Sequence, residues 1–455
     1  MPHQFESHPV PPKRTLKHNF TPMISPPPPR VAVIGGGYAG MAAAVTLAQH
    51  NVVCQVFEAG KVLGGRARRV SYHDVDLDNG QHILLGAYRE LQKLMALVGA
   101  PQNALARFPL TLILYPAFAL HAPRLPAPLH LAWALLSARG LSWQDRVAAL
   151  RFAFALKRME FKIPGAISVA QLLAAQRQSE PLIRCLWAPL CIAALNTPLE
   201  RASAQVFANV LRDALFTRRA DSDLLLPRVD LSALFPEPGA RWLREQGSRV
   251  DTGLRIDSVT ASSGQFMLTD QHGATHSFDA VICAVAPHQL DSIALPFLPA
   301  SAITAYEPIF TVYLCYSPHV VLPFPLLGRS SGSAHWMLDR GALGGAPGLI
   351  AAVISASGAH QAMSHDEIAL KVQRELEEMT GPLPTPLWYK VIAEKFATFA
   401  CQADTLRPAV RTPLDGLYLA GDYVDGDYPA TLEGAVRSGM RAAHLADEFL
   451  NTLKR

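Results

Sequence analysis

The segment 30–61 constrains the fold of this chain more than any other stretch. Val31–Ile34 is an unbroken apolar run, which predicts a strand buried on both faces. Gly35, Gly37 and Gly40 follow in the spacing G-x-G-x-x-G, and an Ala-rich run after them predicts a helix. These glycines permit a tight turn, close approach of backbone to a pyrophosphate, and close packing of helix on strand. The segment therefore predicts a Rossmann-like dinucleotide-binding domain.

A second predicted strand, 52–57, runs into the acid Glu58. A carboxylate at this place accepts hydrogen bonds from the ribose hydroxyls of an adenosine. It would also repel a 2′-phosphate, which disfavours NADP. Tyr38 and Ala39, which lie within the glycine motif, are expected to contact the cofactor together with Ala59 after the acid.

The next glycines distinguish FAD from NAD. Gly64 and Gly65 follow the acid closely and let the chain double back over a pyrophosphate, and Arg66 can then neutralise phosphate charge with bidentate hydrogen bonds. We therefore predict FAD as the cofactor, bound non-covalently.

A second flavin-binding element is predicted near the C-terminus. The run 414–420 indicates a short buried strand, and a helix is expected to begin near Thr431 or Leu432. The positive end of that helix would face the N1–C2=O2 edge of the flavin and stabilise negative charge on the reduced ring. The residues expected to contact the cofactor here are Gly421, Asp422, Thr431, Leu432, Glu433 and Ala435.

Apolar alternation in 249–287 predicts a β-rich return to the nucleotide domain, where Ile256 would offer backbone groups to the adenine. The nucleotide domain is thus predicted from three segments, 30–84, 241–290 and 391–450. The segments 85–240 and 291–390 would build an apolar substrate-binding domain. Residues 1–29, which end in consecutive prolines, are expected to form a disordered leader.

Composition excludes several classes of function. Half of the residues are hydrophobic and only 17% are charged, against about 25% in an average domain. The net charge of +4 comes without a long basic run, so no nucleic-acid partner is expected. The six cysteines lack metal-ligand spacing, which predicts no metal and a cytoplasmic protein. Prolines interrupt the oiliest stretch, 108–136, so it would line an apolar cavity or dip into one leaflet rather than cross a bilayer.

These residues resemble the flavin-containing amine oxidase and phytoene desaturase superfamily over nearly all the chain after Arg30. A narrower resemblance is to hydroxysqualene dehydroxylases, the squalene-associated FAD-dependent desaturases of hopanoid pathways. It is carried by DNGQHILLGAY (78–88), PLCIAALNTPLERASAQVFANVLRD (189–213), 224–243, ATFAC (397–401) and GDYVDGDYPATLEGAVRSG (421–439). The resemblance implies an α/β fold, with a Rossmann-like FAD-binding domain of the GR2 type, as in amine oxidases, and an interleaved α+β substrate domain.

The resemblance also implies reduction of hydroxysqualene to squalene by FADH2. Its substrate is a C30 isoprenoid, so a long apolar site is expected, and contact with the inner membrane surface is reasonable. The predicted lining is Phe108, Leu110, Leu112, Ile113, Tyr115, Phe118, Trp133, Trp187, Phe207, Tyr313 and Trp336. The donor that reduces the flavin is not indicated, because no second dinucleotide fingerprint is visible.

Hydroxide is a poor leaving group, so a general acid should protonate it before hydride arrives. The candidate acids are His82, Asp425, Asp427 and Tyr428, with His82 first because histidine titrates near neutral pH. Gly80, Gln81 and His82 are also expected to contact the flavin.

Three alternatives stay open at this point. A carotenoid-type desaturase would share the fold and run electrons in the opposite direction, from substrate to FAD. A prenyl-lipid-binding escort protein would carry lipid without redox activity. An amine oxidase ranks third, because no lysine is plausibly placed to hold its catalytic water; Lys390 and Lys395 are the only late ones.

Overall fold

A computed structural model describes residues 30–262, 264–296 and 303–454. The predicted leader, 1–29, lies outside the described residues. The strands are β1 (Val31–Ile34), β2 (Cys54–Glu58), β3 (Arg69–Tyr72), β4 (Val75–Asp78), β5 (Leu84–Leu85), β6 (Leu105–Phe108), β7 (Thr111–Tyr115), β8 (Phe118–His121), β9 (Leu224–Pro227), β10 (Arg249–Thr252), β11 (Ile256–Ser262), β12 (Gln265–Asp270), β13 (Thr275–Phe278), β14 (Ala280–Cys283), β15 (Tyr306–Cys315), β16 (Leu326–Arg329), β17 (Trp336–Asp339), β18 (Leu349–Ser355), β19 (Trp388–Phe399) and β20 (Leu417–Leu419).

The helices are α1 (Tyr38–Gln49), α2 (Arg89–Leu97), α3 (Leu129–Ser137), α4 (Trp143–Arg158), α5 (Val169–Ala175), α6 (Glu180–Leu182), α7 (Ala188–Leu195), α8 (Ala204–Leu211), α9 (Leu231–Leu234), α10 (Pro236–Glu245), α11 (Pro287–Leu290), α12 (His365–Thr380) and α13 (Leu432–Leu453). Short 3₁₀ or π turns cover Gly65–Ala67, Ile183–Trp187, Arg212–Phe216, Arg219–Ser222 and Ala359–Ala362.

A parallel five-stranded sheet forms the nucleotide-binding core, in the order β10-β2-β1-β14-β20. The predicted strand Val31–Ile34 is confirmed, and its residues are fully buried because helices cover both faces of a parallel sheet. The second strand begins at Cys54 rather than at residue 52 and includes Glu58. Helix α1 begins at Tyr38, three residues before the predicted Ala-rich run.

Helix α13 packs directly on α1, so the two ends of the sequence meet in one layer. A Cβ atom at Gly439 would lie 2.1 Å from the carbonyl oxygen of Ala39, which shows how closely the helices approach. The predicted start of this helix is confirmed, since Thr431 caps it by accepting a hydrogen bond from the amide of Gly434 at 3.1 Å.

A seven-stranded sheet, β19-β15-β18-β17-β16-β7-β8, forms the second layer of the molecule. Strand β19 pairs along β15, for example Tyr313 with Lys390, so most of it belongs to this sheet although the sequence assigned 391–399 to the nucleotide domain. Residue 241 was the predicted start of the second nucleotide segment, but it lies inside α10. That helix packs on α1, so the segment begins earlier than predicted.

Three small sheets complete the strand content of the described residues: β3-β4, β5-β9-β6 and β11-β12-β13. Among the residues described, we find no helix with the length and hydropathy needed to traverse a bilayer.

Candidate functional site

The carboxylate of Glu58 holds the glycine-rich turn in place. Its Oε2 accepts a hydrogen bond of 2.6 Å from the amide of Gly36, and its Oε1 accepts one of 2.7 Å from the amide of Gly60. A carboxylate has about four acceptor positions, so these two bonds leave capacity for ribose hydroxyls. Glu58 therefore shapes the turn as well as facing a ligand.

Two glycines let the backbone approach closely beside the N-terminus of α1. A Cβ atom at Gly37 would have no neighbour nearer than 3.7 Å, the Cα atom of Gly65, and Gly37 pairs with Gly64 in a parallel bridge. Both sides of this cleft are thus bare backbone. The free amides at the start of α1 and the lack of side chains suit an anionic pyrophosphate.

The two cofactor-binding ends of the chain are joined by Arg66. Its Nη2 donates to Oδ1 of Asp422 at 2.5 Å, and its Nη1 donates to the carbonyl of Ala397 at 2.7 Å. Asp422 is largely buried, so this ion pair fixes the end of β20 against the N-terminal glycine turn.

These elements enclose a cavity of about 810 Å³, within the size range of cofactor sites. It is lined by most of the residues predicted to hold the cofactor: Gly35, Gly37, Tyr38, Ala39, Glu58, Ala59, Gly64, Gly65, Arg66, Gly80, Gln81, His82, Ile256, Gly421, Asp422, Thr431, Leu432 and Ala435. The structure thus brings together both termini and the middle segment around one space.

Two predicted contact residues do not line this cavity. Gly40 packs against the strand, because a Cβ there would lie 1.9 Å from the carbonyl oxygen of Gly35. The side chain of Glu433 turns away and caps α2, accepting hydrogen bonds from the amides of Glu90 (3.2 Å) and Leu91 (3.1 Å), and it pairs with Arg437 at 2.8 Å. The prediction of a cofactor contact for the Glu433 side chain is therefore corrected.

Two other predicted residues line the cofactor cavity, but their side chains hydrogen-bond to other protein groups. The hydroxyl of Tyr38 donates to the carbonyl of Leu231 at 2.7 Å. The amide of Gln81 donates to the hydroxyl of Tyr313 at 2.8 Å and to Oδ2 of Asp78 at 3.1 Å. Any contact of Tyr38 with a ligand would therefore come from its backbone.

The chemistry of the cavity fits FAD. A guanidinium and the N-termini of α1 and α13 suit a pyrophosphate and an electron-rich ring edge. In addition, Nε1 of Trp336 and the hydroxyl of Tyr423 lie buried on the cavity wall with no hydrogen-bond partner among the described residues. Neither polar atom is accessible from the cavity, so the fit to FAD rests on the guanidinium, the two helix N-termini and the bare glycine backbone.

A second, apolar pocket of about 120 Å³ adjoins the cofactor cavity. Both spaces are walled by Ile83, Tyr88, Ala193, Ala194, Trp336 and Thr431. A third small pocket of about 30 Å³ continues away from the cofactor and shares Leu110, Leu112, Leu190, Leu211 and Leu215 with the second. The three spaces therefore lie in series, and the lining changes from partly polar at the cofactor cavity to entirely apolar in the smallest pocket.

The predicted substrate lining is only partly found in these pockets. Leu110, Leu112, Trp187, Phe207 and Trp336 line them. The other predicted residues do not: Phe108, Ile113, Tyr115, Phe118, Trp133 and Tyr313. The lining residues that were not predicted from the sequence include Tyr88 and Glu394. Tyr88 lines both the cofactor cavity and the adjoining apolar pocket. Glu394 lines the cofactor cavity, where its Oε2 accepts a hydrogen bond of 3.0 Å from the Asn79 side-chain amide.

Comparison with known proteins agrees with this geometry. The family model described as flavin containing amine oxidoreductase matches residues 38–446, which is most of the chain. The chain belongs to this family. Membership makes the protein a flavin-dependent oxidoreductase, and the predictions of an FAD cofactor and of an amine-oxidase-like α/β fold are confirmed.

The relatives of this flavin oxidoreductase include proteins that act on isoprenoids, by their names. A protein named hydroxysqualene dehydroxylase from Sinorhizobium fredii is 28% identical over 93% of this chain and 100% of its own length. Zeta-carotene desaturase from Synechocystis is 24% identical over 91% of this chain and 96% of its own length. The structure of an oxidoreductase from Methanosarcina mazei superposes with a TM-score of 0.71 at 16% identity, covering 91% of this chain and 100% of that one, and supports the fold.

Of the four candidate acids in the flavin oxidoreductase, two line the cavities and two do not. His82 lines the cofactor cavity, and its Nδ1 donates to the carbonyl of Gly80 at 2.9 Å. Burial lowers the pKa of His82, and the Gly80 bond offsets this only in part, so the ring is neutral near pH 7. A neutral ring that donates from Nδ1 presents an acceptor at Nε2, which argues against the predicted role as acid.

Asp425 and Asp427 are exposed, and neither lines the cavities described here. Their backbone carbonyls accept hydrogen bonds from Arg441 (3.1 Å) and Asn209 (3.1 Å). Residues 425–427 turn outward, so the prediction that both acids reach the flavin is corrected.

Tyr428 does reach the apolar pocket, together with Asp213, a residue that sequence reasoning missed. The Tyr428 hydroxyl donates a short hydrogen bond to Oδ2 of Asp213, and the guanidinium of Arg437 lies 4.7 Å from the centre of the tyrosine ring. Nε of Arg212 donates to Oδ1 of Asp213 at 2.7 Å. Nothing local in the sequence pairs residues 213 and 428, although both lie in runs that carry the resemblance.

Proposed function

We propose that this flavin oxidoreductase removes the hydroxyl group of hydroxysqualene by reduction, giving squalene for hopanoid synthesis. The observation that carries the proposal is the apolar pocket beside the cofactor cavity, where the hydrogen-bonded pair Asp213 and Tyr428 faces largely aliphatic and aromatic walls. A long hydrocarbon with one hydroxyl matches such a surface, since each buried methylene favours binding by about 0.8 kcal/mol. The relatives named hydroxysqualene dehydroxylase support the same reaction.

When bound, reduced FAD supplies a hydride equivalent at flavin N5. The chain's task is to hold the substrate carbon beside the ring, to exclude water and to help hydroxide leave. The shared wall made by Tyr88, Trp336 and Thr431 is where the substrate and flavin spaces meet. We propose that the allylic end of the substrate lies there.

Departure of the hydroxyl needs a proton and a counter-charge. Burial raises the pKa of Asp213, but hydrogen bonds from Arg212 and Tyr428 outweigh burial and lower it overall, so the carboxylate is ionised. Burial and the Asp213 bond raise the pKa of Tyr428 above its usual range, so the phenol keeps its proton. We propose that, with substrate bound, the Tyr428 hydroxyl turns from Asp213 to the substrate and gives its proton to the substrate hydroxyl, which leaves as water. Tyr428 would regain a proton from the one released when the flavin is reoxidised, and Asp213 would stabilise the positive charge left on the allylic carbons.

The aromatic walls would assist the same charge. The rings of Tyr88 and Trp336 border both spaces, and an aromatic face stabilises a nearby cation by about 0.5–2 kcal/mol. His82 is proposed to orient a ligand group as a hydrogen-bond acceptor rather than to act as the acid.

The environment of the protein follows from its substrate. Squalene-type isoprenoids concentrate in membranes, so we propose a cytoplasmic protein that contacts the inner membrane peripherally. The isoprenoid class of the substrate is supported by the relatives, whereas the electron donor is left unassigned.

The decisive experiment mixes photoreduced enzyme with hydroxysqualene under anaerobic conditions. We expect the flavin to reoxidise while gas chromatography detects squalene in equal amount. If the reduced spectrum persists, while oxidised enzyme is reduced by a carotene precursor, the protein is instead a carotenoid-type desaturase, as the relative from Synechocystis would suggest. A colourless protein that binds prenyl lipids without binding FAD would favour the escort function.

A further inference from the structure

Apolar side chains are exposed on the two helices that close the far end of the apolar pockets. On α3 and the turn before it these are Leu125, Leu129 and Trp133, and on α4 they are Trp143 and Phe154. Their exposed fractions include 69% for Phe154, 64% for Trp143 and 58% for Trp133. Removing side chains of this size from water is favourable, so a group of them on the surface indicates a site that binds another protein or a membrane.

These residues lie on one side of the hairpin. Leu129 and Trp133 are four residues apart, and Trp143 and Phe154 are three helical turns apart, so each pair shares a helix face. Helix α4 packs on α3, and Nη1 of Arg146 donates to the carbonyl of Leu136 at 2.8 Å. We name the exposed side formed by 124–129, 133 and 143–158 the α3–α4 face.

The opposite side of the same hairpin lines the pocket. Leu131 and Leu135 of α3, with Ala153 and Leu156 of α4, form the wall of the small apolar pocket farthest from the cofactor. The α3–α4 face is therefore separated from the proposed substrate route by a single layer of helix.

The unpaired charges on and beside this face are all positive. Arg124, Arg139, Arg151, Lys157 and Arg158 are exposed, and none of them has an ion-pair partner within the described part of the chain. The exposed acid between residues 121 and 162 is Glu160, which is paired with Lys162 at 3.1 Å. A second copy of the chain would bring like charges together, because a two-fold contact places a surface against itself.

We propose that the α3–α4 face docks on an anionic lipid bilayer, with its aromatic and leucine side chains in the interfacial layer and its arginines and lysines among the headgroups. Exposed Trp, Phe and Leu beside Lys and Arg are the composition of helices that lie in a membrane surface. Docking in this orientation puts against the lipid the hairpin that walls the far end of the apolar pockets. Delivery of substrate from the lipid to these pockets rests on the proposed function, whereas docking itself does not.

The test uses the FAD-loaded protein and vesicles made of equal parts phosphatidylglycerol and phosphatidylcholine. Sedimentation should show binding that weakens in high salt and falls in pure phosphatidylcholine vesicles. A triple variant, Leu129→Ser with Trp133→Ser and Phe154→Ser, should lose at least about tenfold in partitioning. The matched control is Val321→Ser with Leu387→Ser and Leu406→Ser, three apolar residues outside the hairpin that are each at least 66% exposed, and it should bind like wild type.

Activity separates failure of docking from failure of the proposed function. The triple variant should reduce hydroxysqualene normally when detergent delivers it, and at least about tenfold more slowly when vesicles contain it. Equal vesicle binding by wild type and the triple variant would overturn the proposal. So would light scattering that shows a wild-type dimer and a monomeric triple variant, because the face would then join two copies. Vesicle binding that persists without any dehydroxylation would leave docking supported and the proposed function refuted.

Discussion

Arg66 donates a hydrogen bond of 2.5 Å from Nη2 to Oδ1 of Asp422, although 356 residues separate them in the sequence. Arg66 follows the second glycine pair of the N-terminal segment, and Asp422 follows β20. This ion pair thus joins the N-terminal and C-terminal sides of the cofactor cavity. The carboxylate is almost buried, so it depends on the guanidinium for compensation.

Arg66→Ala should weaken FAD binding by about tenfold to a hundredfold, because a hydrogen bond to a charged group contributes about 1.5–3 kcal/mol. The change also leaves the Asp422 carboxylate unpaired beside the cofactor phosphates. Arg66→Lys should recover only part of the affinity, since a lysine cannot serve both Asp422 and the Ala397 carbonyl with a planar fork. Fluorescence of released FAD measures the affinity. The exposed residue Arg374 supplies the control, Arg374→Ala, and equal affinities in both variants would contradict the prediction.

Two glycines of the first motif should respond differently to alanine. Gly40→Ala would place a Cβ 1.9 Å from the Gly35 carbonyl, so we expect a lower melting temperature and little folded protein. Gly37→Ala meets no atom within 3.7 Å and has an extended backbone, φ −75°, that alanine accepts. It should fold normally and lose FAD, because its methyl group would occupy ligand space. Melting curves of the apoprotein and FAD content of the purified protein test both expectations. Normal FAD content in Gly37→Ala would disprove a close backbone approach.

The sequence predicts the cofactor cavity well, because its signals are local. Each glycine turn, its strand and the acid Glu58 lie within a few tens of residues, and backbone geometry dictates those residue types. Asp213 gives no such signal, since its partner Tyr428 comes from a distant turn. The prediction of a cofactor contact for the Glu433 side chain is wrong for a related reason. Its position at the start of α13 predicts a location near the flavin, but its carboxylate instead accepts hydrogen bonds from the free amides at the start of α2.

Tyr428→Phe should slow reoxidation of the photoreduced flavin by hydroxysqualene by about 10²- to 10⁴-fold, the usual range for loss of a general acid. The phenylalanine ring can keep its contact with Arg437, so FAD content should not change. Asp213→Asn should slow the same step because it removes the negative charge. Asp425→Asn and Asp427→Asn serve as controls, since both carboxylates are exposed in the same loop. Stopped-flow absorbance follows the step, and a rate for Tyr428→Phe equal to wild type would remove the residue from the mechanism.

Asp78 makes stability depend on pH in a direction opposite to that of most carboxylates. Burial raises its pKa from 3.8 to about 6, with Arg340 and the Leu231 amide opposing the shift in part. The folded chain therefore binds more protons than the unfolded chain between those values. The stability contributed by protonated Asp78 is fully present below about pH 4 and is lost as the pH rises through 6. A shift of this size corresponds to about 3 kcal/mol at most.

Asp78→Asn should remove that dependence, because a carboxamide does not titrate in this range. The fold should be kept, since the amide oxygen of the new side chain can still accept the hydrogen bond of 2.7 Å that the Leu231 amide donates to Oδ1 of Asp78. We expect the melting temperature of the variant, relative to wild type, to be higher at pH 7 than at pH 4. Scanning fluorimetry of the apoprotein across this range measures the difference. Asp74→Asn changes an exposed carboxyl on the same hairpin and should show no such trend. A constant difference between Asp78→Asn and wild type would mean that Asp78 titrates alike in the folded and unfolded chains.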